Sequence, residues 1–312
     1  MPMLHVALVL ESALAFAAPT APPRLGSEPR AQAIIGGEST APGEYDGVVA
    51  LMINGFSCTG TVVAPRLILT AAHCLVSAEL GGSVLLYYGD NAQLGGVEAD
   101  GWGMHPQFCR DCPSDAQDIY DYGYVTIPYD FVLPGGYITP IVDQDEWDEA
   151  MRRGEPMTMV GYGANAFIGD EAVGGGVKRK VDVKVRRFSP EGIEFLAGGD
   201  QHDTCVGDSG GPAFVRLASG ATRLAGITSR GSMPCGSGGL YGAPYPSLCW
   251  VREETGIDLV GAGCSACDCL DTSPPPIDDG GCGCSGDAPR SSGIAALAIA
   301  ALWLRRRRRQ RS

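Results

Sequence analysis

Ser209 stands in the run Gly207-Asp-Ser-Gly-Gly-Pro212, with a further carboxylate, Asp203, six residues upstream. A serine hydroxyl attacks a carbonyl only when a base removes its proton, so this segment alone defines no reaction. The chain has four histidines from which that base could come. His73, in Thr70-Ala-Ala-His-Cys74, is the candidate base. His105 reads as a surface residue, and His202 lies seven residues before the serine on the same loop, from which it would not swing round to the hydroxyl. Two carboxylates, Asp118 and Asp121, could orient the imidazole. The β-type run Tyr122 to Ile127 begins directly after Asp121, which favours it and leaves Asp118 a solvated loop residue. Gly207 to Gly211 allow a tight turn with positive φ, on which the N–H groups of Gly207 and Ser209 can converge as an oxyanion hole. Nucleophile, base, orienting carboxylate and paired donors are the parts that acyl transfer requires.

The elements that must hold these parts are short. Gly (45) and Pro (22) are abundant among 312 residues, and β-type runs recur between turn residues. These runs are 47–53, 59–63, 66–70, 83–88, 122–127, 157–160, 177–185 and 223–229. Many short strands at such spacing predict an all-β sandwich or barrel. The clear helix candidate runs from Pro246 to Thr255 and is stopped by Gly256. The acidic run Asp143 to Glu149 reads as a solvated face. A formal net charge of −13, which already includes six C-terminal arginines, argues against a nucleic-acid partner. Twelve cysteines point to an oxidising compartment.

The segments around His73 and Ser209, in the chain order His, Asp, Ser, resemble the chymotrypsin/trypsin-like serine proteases over roughly residues 34 to 258. The resemblance implies two six-stranded antiparallel β-barrels with the site in the cleft between them and a short C-terminal helix. It implies peptide-bond hydrolysis by a serine endopeptidase, with His73, Asp121 and Ser209 catalytic. Asp121 follows His73 by 48 residues, within the family's spacing. Asp203 falls where trypsin-like members select Arg or Lys before the scissile bond, with Gly231 and Gly239 as pocket walls and Ser229 at the rim. Arg230 departs from the family, which usually has Trp there; it could compete for acidic groups or alter the neighbouring subsites. Ile34-Ile-Gly-Gly37 resembles the mature N-terminus, so Ile34 would pair with Asp208 after removal of residues 18–33. Ala33 precedes it in place of Arg or Lys, which implies a separate activating protease. The family's bridges imply Cys58–Cys74 and Cys205–Cys235, leave Cys109 and Cys112 to each other, and leave Cys249 for a tail cysteine. No cofactor or metal is required. A catalytically silent binding protein on the same fold is the alternative, although no triad residue is missing.

The ends read differently. Residues 1–17 form an apolar stretch closed by Ala15-Phe16-Ala17, a signal-peptide pattern that lacks a basic n-region. Residues 259–281 are Cys-, Pro- and Gly-rich and read as a linker that builds no core, passing into a disordered tail. Over 282–312 come Cys-Gly-Cys, a short apolar segment and an arginine block. The eleven apolar residues are too few to span a bilayer, which needs about 20. This order resembles the MYXO-CTERM sorting tails of myxobacterial-type surface proteins. It implies a secreted protein whose tail is transiently at the membrane, is cut by a sorting protease, and leaves the product at the cell surface. Cys264, Cys267 and Cys269 are not joined by a histidine, which argues against a metal site there.

Overall fold

The computed structural model describes residues 34–109, 119–168, 171–261, 263–264 and 266–274. The signal-peptide, pro-segment and sorting-tail expectations lie outside the described residues, as do Cys112 and Asp118.

Sixteen strands are present among the described residues. The first sheet is built from β2 (Val48–Ile53), β3 (Phe56–Ala64), β4 (Leu67–Thr70), β5 (Val84–Tyr88), β6 (Leu94–Glu98), β7 (Gly101–Met104) and β8 (Gly123–Thr126). Its order is β6-β5-β2-β3-β4-β8-β7, antiparallel throughout. Asn54-Gly55, both at positive φ, turn β2 into β3, as expected of a two-residue hairpin. The outer strands β6 and β7 are consecutive in the chain. Between them the Ala99 N–H donates to Val84 O and the Asp100 N–H to Thr126 O, so one stretch of chain runs along both edges.

The second sheet contains β9 (Pro156–Gly161), β12 (Arg179–Phe188), β13 (Glu194–Ala197), β14 (Pro212–Arg216), β15 (Thr222–Gly231) and β16 (Gly239–Gly242). Pairing of β9 with both β14 and β12 closes these six strands into a barrel. The two-residue strand β1 (Glu38–Ser39) adds to β12, and β10 (Ala166–Ile168) pairs with β11 (Glu171–Val173) as a separate hairpin. Strand β12 shows why the sequence folds this way. Val181, Val183 and Val185 face the core while Asp182, Lys184 and Arg186 face water, the period of two that a half-buried strand requires. The fully buried β4, Leu-Ile-Leu-Thr, has no such alternation because both its faces are covered.

Three α-helices occur among the described residues: α1 (Ala72–Leu75), α2 (Gln144–Ala150) and α3 (Leu248–Thr255). Helix α3 matches the sequence expectation and ends on Gly256 at φ 72, whose N–H bonds to Arg252 O. Helix α2 was read as a solvated acidic run. It is set by Asp143, whose side chain accepts the Glu146 N–H, and by burial of Trp147 and Ala150. Its acidic first turn also complements the helix dipole.

The residues after α3 are not a free linker as far as Pro274. Disulfide Cys249–Cys267 staples them to α3, Cys264–Cys269 closes a short loop within the segment, and Val260, Cys264 and Leu270 are buried. The Tyr245 hydroxyl accepts the N–H groups of Cys269 and Leu270, and Asp271 exchanges two hydrogen bonds with Gln144. A segment too short and polar for its own core is thus held on a neighbouring one by a covalent staple.

Candidate active site

Each candidate residue sits at the end of an element. His73 lies on the single turn α1 directly after β4, Asp121 precedes β8, and Ser209 precedes β14. Strands β4 and β8 are paired, with Thr70 opposite Gly123, so the two sheet ends bring His73 and Asp121 together although 48 residues separate them. One Asp121 oxygen accepts the His73 backbone N–H at 2.9 Å; the other lies 2.7 Å from Nδ1. The Asp121 side chain is 4% exposed and that of His73 35%, so the carboxylate is shielded while the ring faces the cleft. With a carboxylate on Nδ1, the ring carries its proton there and leaves Nε2 as the acceptor.

Ser209 is carried to this pair by the other sheet. The Thr59 N–H on β3 donates to Ser209 O at 2.8 Å, and the Thr59 hydroxyl donates to Gly207 O at 2.9 Å. Thr59 also accepts the Tyr162 N–H and, through its carbonyl, the Thr70 hydroxyl. Gly210, at φ +80, packs so closely on this clamp that a Cβ would meet Thr70 Oγ1 and come within 2.8 Å of Ala71 N. The Ser209 loop therefore abuts the chain two residues before His73. Thr59 and Thr70 carry this junction; Thr70 opens the Thr70-Ala-Ala-His-Cys74 segment, whereas nothing in the sequence gives Thr59 a part in the site.

The loop leaves two donors unspent. The N–H groups of Asp208, Gly210 and Gly211 bond to Cys205 O, Thr228 O and Asp208 O. Among the described residues those of Gly207 and Ser209 are not engaged. Gly207 reaches this turn at φ +94, in the left-handed region that glycine adopts without a steric penalty.

Asp208 is fully buried. Its oxygens accept the N–H groups of Gly163 (2.8 Å) and Cys205 (2.9 Å), yet burial pushes the carboxyl up to about 7. The Ile34 side chain is also fully buried, and Ile35 O accepts the Asp203 N–H.

Asp203 is buried beside Gly239, where a Cβ would come within 3.3 Å of its Oδ1. Its oxygens accept N–H groups of Thr204, Gly236 and Gly238, while burial raises its pKa. Gly231 and Gly239 are directly opposed on β15 and β16. A pocket of about 160 Å³ at Ser209 is bordered by Val206, Ser229, Arg230, Gly231 and Met233. Disulfides Cys58–Cys74 and Cys205–Cys235 flank His73 and this pocket.

The structure changes one reading and adds detail to two. Ser229 borders the pocket, and its hydroxyl donates to Asp121 Oδ2 at 2.6 Å. Arg230 finds an acidic partner in Glu194 of β13, at 2.7 and 3.0 Å. Glu194 had no signal in the sequence, since its 36-residue separation from Arg230 is bridged only by the sheet. His105 is buried, not at the surface. It stacks on Tyr120 and meets Tyr122 and Trp250 edge-on, and its Nδ1 accepts the Gln107 N–H. Burial lowers its pKa and favours the neutral ring, which this apolar setting accepts. Cys109 is disulfide-bonded.

The family model described as Trypsin matches residues 34–247. Coagulation factor XII of Sus scrofa is 26% identical over 259 residues, 71% of this chain and 39% of that protein. Serine protease 56 of Homo sapiens is 31% identical over 243 residues, 71% of this chain and 38% of its own. The Spaetzle-processing enzyme of Drosophila melanogaster is 26% identical over 275 residues, 72% and 66% of the two chains. The chain thus spans about two fifths of the length of the first two relatives. The matched model covers His73, Asp121 and Ser209 and well over half of the 312 residues, and the chain belongs to the trypsin family.

Proposed function

We propose that the protein is a secreted serine endopeptidase that cleaves after Arg or Lys through an acyl-enzyme. The observation that carries this reading is the shielded His73–Asp121 contact at 2.7 Å, together with a Ser209 loop in which the Gly207 and Ser209 N–H groups are unspent among the described residues. Ser209 Oγ attacks the substrate carbonyl while His73 Nε2 takes its proton. Asp121 keeps the ring in the required tautomer and stabilises the imidazolium that forms. The carbonyl oxygen gains charge and takes the Gly207 and Ser209 N–H groups, donors already oriented before reaction. His73 then protonates the leaving amine, and water repeats the sequence on the ester.

Asp203 supports basic specificity, since a carboxylate buried directly behind Thr204 and Cys205 of the pocket lining would give a charge-assisted partner to a guanidinium or ammonium. Ile34 and Asp208 form the activation pair in this reading. A carboxyl pushed up to about 7 by burial gains most from a new α-ammonium, and cutting before Ile34 would create one. Ala33 assigns that cut to a different protease. The disulfides support an oxidising location outside the cytoplasm. Residues 282–312 serve as a surface-sorting tail cut by a sorting protease.

The test uses protein beginning at Ile34. It should hydrolyse an Arg-amide substrate and label at Ser209 with a fluorophosphonate, and Ser209→Ala should abolish both. Absence of labelling in folded protein would favour the silent binding protein instead.

A further inference from the structure

The triad carboxylate is the last member of a longer chain of contacts. Glu194, 2% exposed, holds the Arg230 guanidinium in a two-point pair. Arg230 Nη1 also lies 3.2 Å from Ser229 Oγ. Ser229 in turn donates to Asp121 Oδ2 at 2.6 Å, and the same oxygen meets His73 Nδ1. Neighbouring strand residues ordinarily face opposite ways. Here the register of β15 against β16 slips between Thr228 and Arg230, and this bulge lets Ser229 and Arg230 address one network.

We propose that Arg230 is a positioning residue of the triad, fixing the Ser229 hydroxyl as a donor to Asp121 and directing the positive end of the Arg230–Glu194 pair at the Asp121–His73 contact. This rests on the peptidase reading of Asp121 and His73. Proton counting carries it. A hydroxyl has one hydrogen, and a guanidinium only donates. With Nη1 on its acceptor side, Ser229 has its hydrogen left for Asp121 and none to turn elsewhere. Nη1 has two hydrogens, one for Glu194 and one for Ser229, so the fork that grips Glu194 also aims the serine. Lysine, a single point charge, cannot hold both partners in a fixed plane. Tyr122 packs beside the network: it is fully buried, donates to Ile193 O, and lies near Asp121, Glu194, Arg230 and Tyr120.

Because the guanidinium comes before its counterion along this chain of contacts from Asp121, the two partners act on His73 with opposite sign. Arg230→Met removes the charge that opposes imidazolium formation, and His73 should titrate higher by roughly half a unit to one unit. The sign holds whether Glu194 stays ionised or takes a proton. Glu194→Gln leaves the guanidinium without its counterion while keeping an acceptor for it, and His73 should titrate lower by a similar amount. Arg230→Lys restores the charge and should bring His73 to within a few tenths of the wild-type value, with the Ser229 aim loosened.

His73 is titrated by proton NMR in the Ser209→Ala protein starting at Ile34, so the measurement does not depend on hydrolysis. In the active protein the acid limb of kcat/KM should move the same way for each variant. At pH 6, kcat/KM of Arg230→Met should fall about threefold to tenfold, with the loss in kcat rather than KM. Opposite shifts for Arg230→Met and Glu194→Gln establish the role. Equal-sign shifts, or none beyond about 0.2 in folded protein, overturn it, because a purely structural pair would change stability without moving His73 in two directions. If Arg230→Met does not fold, Glu194→Gln decides alone: a downward shift supports the role and an upward or absent one refutes it. Loss of wild-type hydrolysis with the shifts intact would count against the peptidase reading and not against this one.

Discussion

Asp208 makes the stability of the uncleaved chain depend on pH in an unusual direction. Its carboxyl is completely buried, and burial lifts it from an ordinary 3.8 to about 7 in spite of two backbone donors. The folded chain therefore keeps a proton on Asp208 that the unfolded chain releases near pH 4. Between about pH 4 and 7 the folded state binds more protons, so stability falls as pH rises and levels off above 7. At about 1.4 kcal/mol for each pH unit between the two values, the cost at pH 8 is on the order of 4 kcal/mol. Urea unfolding of the uncleaved Ser209→Ala protein, disulfides intact, at pH 4.5, 6 and 8 measures it. The wild-type chain should lose several kcal/mol across that range. Asp208→Asn should flatten the slope while losing about 1–3 kcal/mol at pH 4.5, because its amide presents a donor to Gly163 N or Cys205 N. The same protein begun at Ile34 should also lose the slope, since an ammonium partner allows Asp208 to ionise. An uncleaved chain equally stable at pH 4.5 and 8 would refute the argument.

Gly210→Ala should impair both folding and turnover, because φ +80 and the approach to Thr70 and Ala71 leave no space for a methyl group; wild-type stability and kcat would contradict the clamp. Asp203→Ser should reduce kcat/KM for an Arg substrate by about three orders of magnitude while sparing hydrolysis after apolar residues, as a peptide library would record. Replacing Cys249 and Cys267 together with alanine opens a staple spanning 18 residues. The loss should be about 3 kcal/mol, or roughly 5–10 °C in Tm, with trimming of residues 257–274 by added protease; an unchanged Tm and an intact end would show that packing alone holds the segment.

The parts that sequence made legible are local. Short β-runs fell on β2 to β5, β8, β9, β12 and β15, because alternating or continuous apolar residues between turns record which faces are covered. The runs at β6 and β7 did not register: Leu94-Gly-Gly-Val-Glu98 and Gly101-Trp-Gly-Met104 are half glycine or exposed, and only pairing makes them strands. Helix α2 was hidden because its signal is one cap and two apolar residues among acids. Segment 259–274 looks coreless and is, by itself, but the Cys249–Cys267 disulfide lends it a neighbour's core.

At the site the same division holds. The types and spacing of His73, Asp121 and Ser209 are written in the chain, since a motif is a property of neighbours in sequence. Which atoms meet is not. The clamp of Thr59 and Thr70 on the nucleophile loop, the turn of Ser229 toward Asp121 and the seizure of Arg230 by Glu194 all join residues between 11 and 148 positions apart. Such contacts depend on strand register and on one bulge in β15, which are settled by the packing of the whole sheet rather than by any local run of residues.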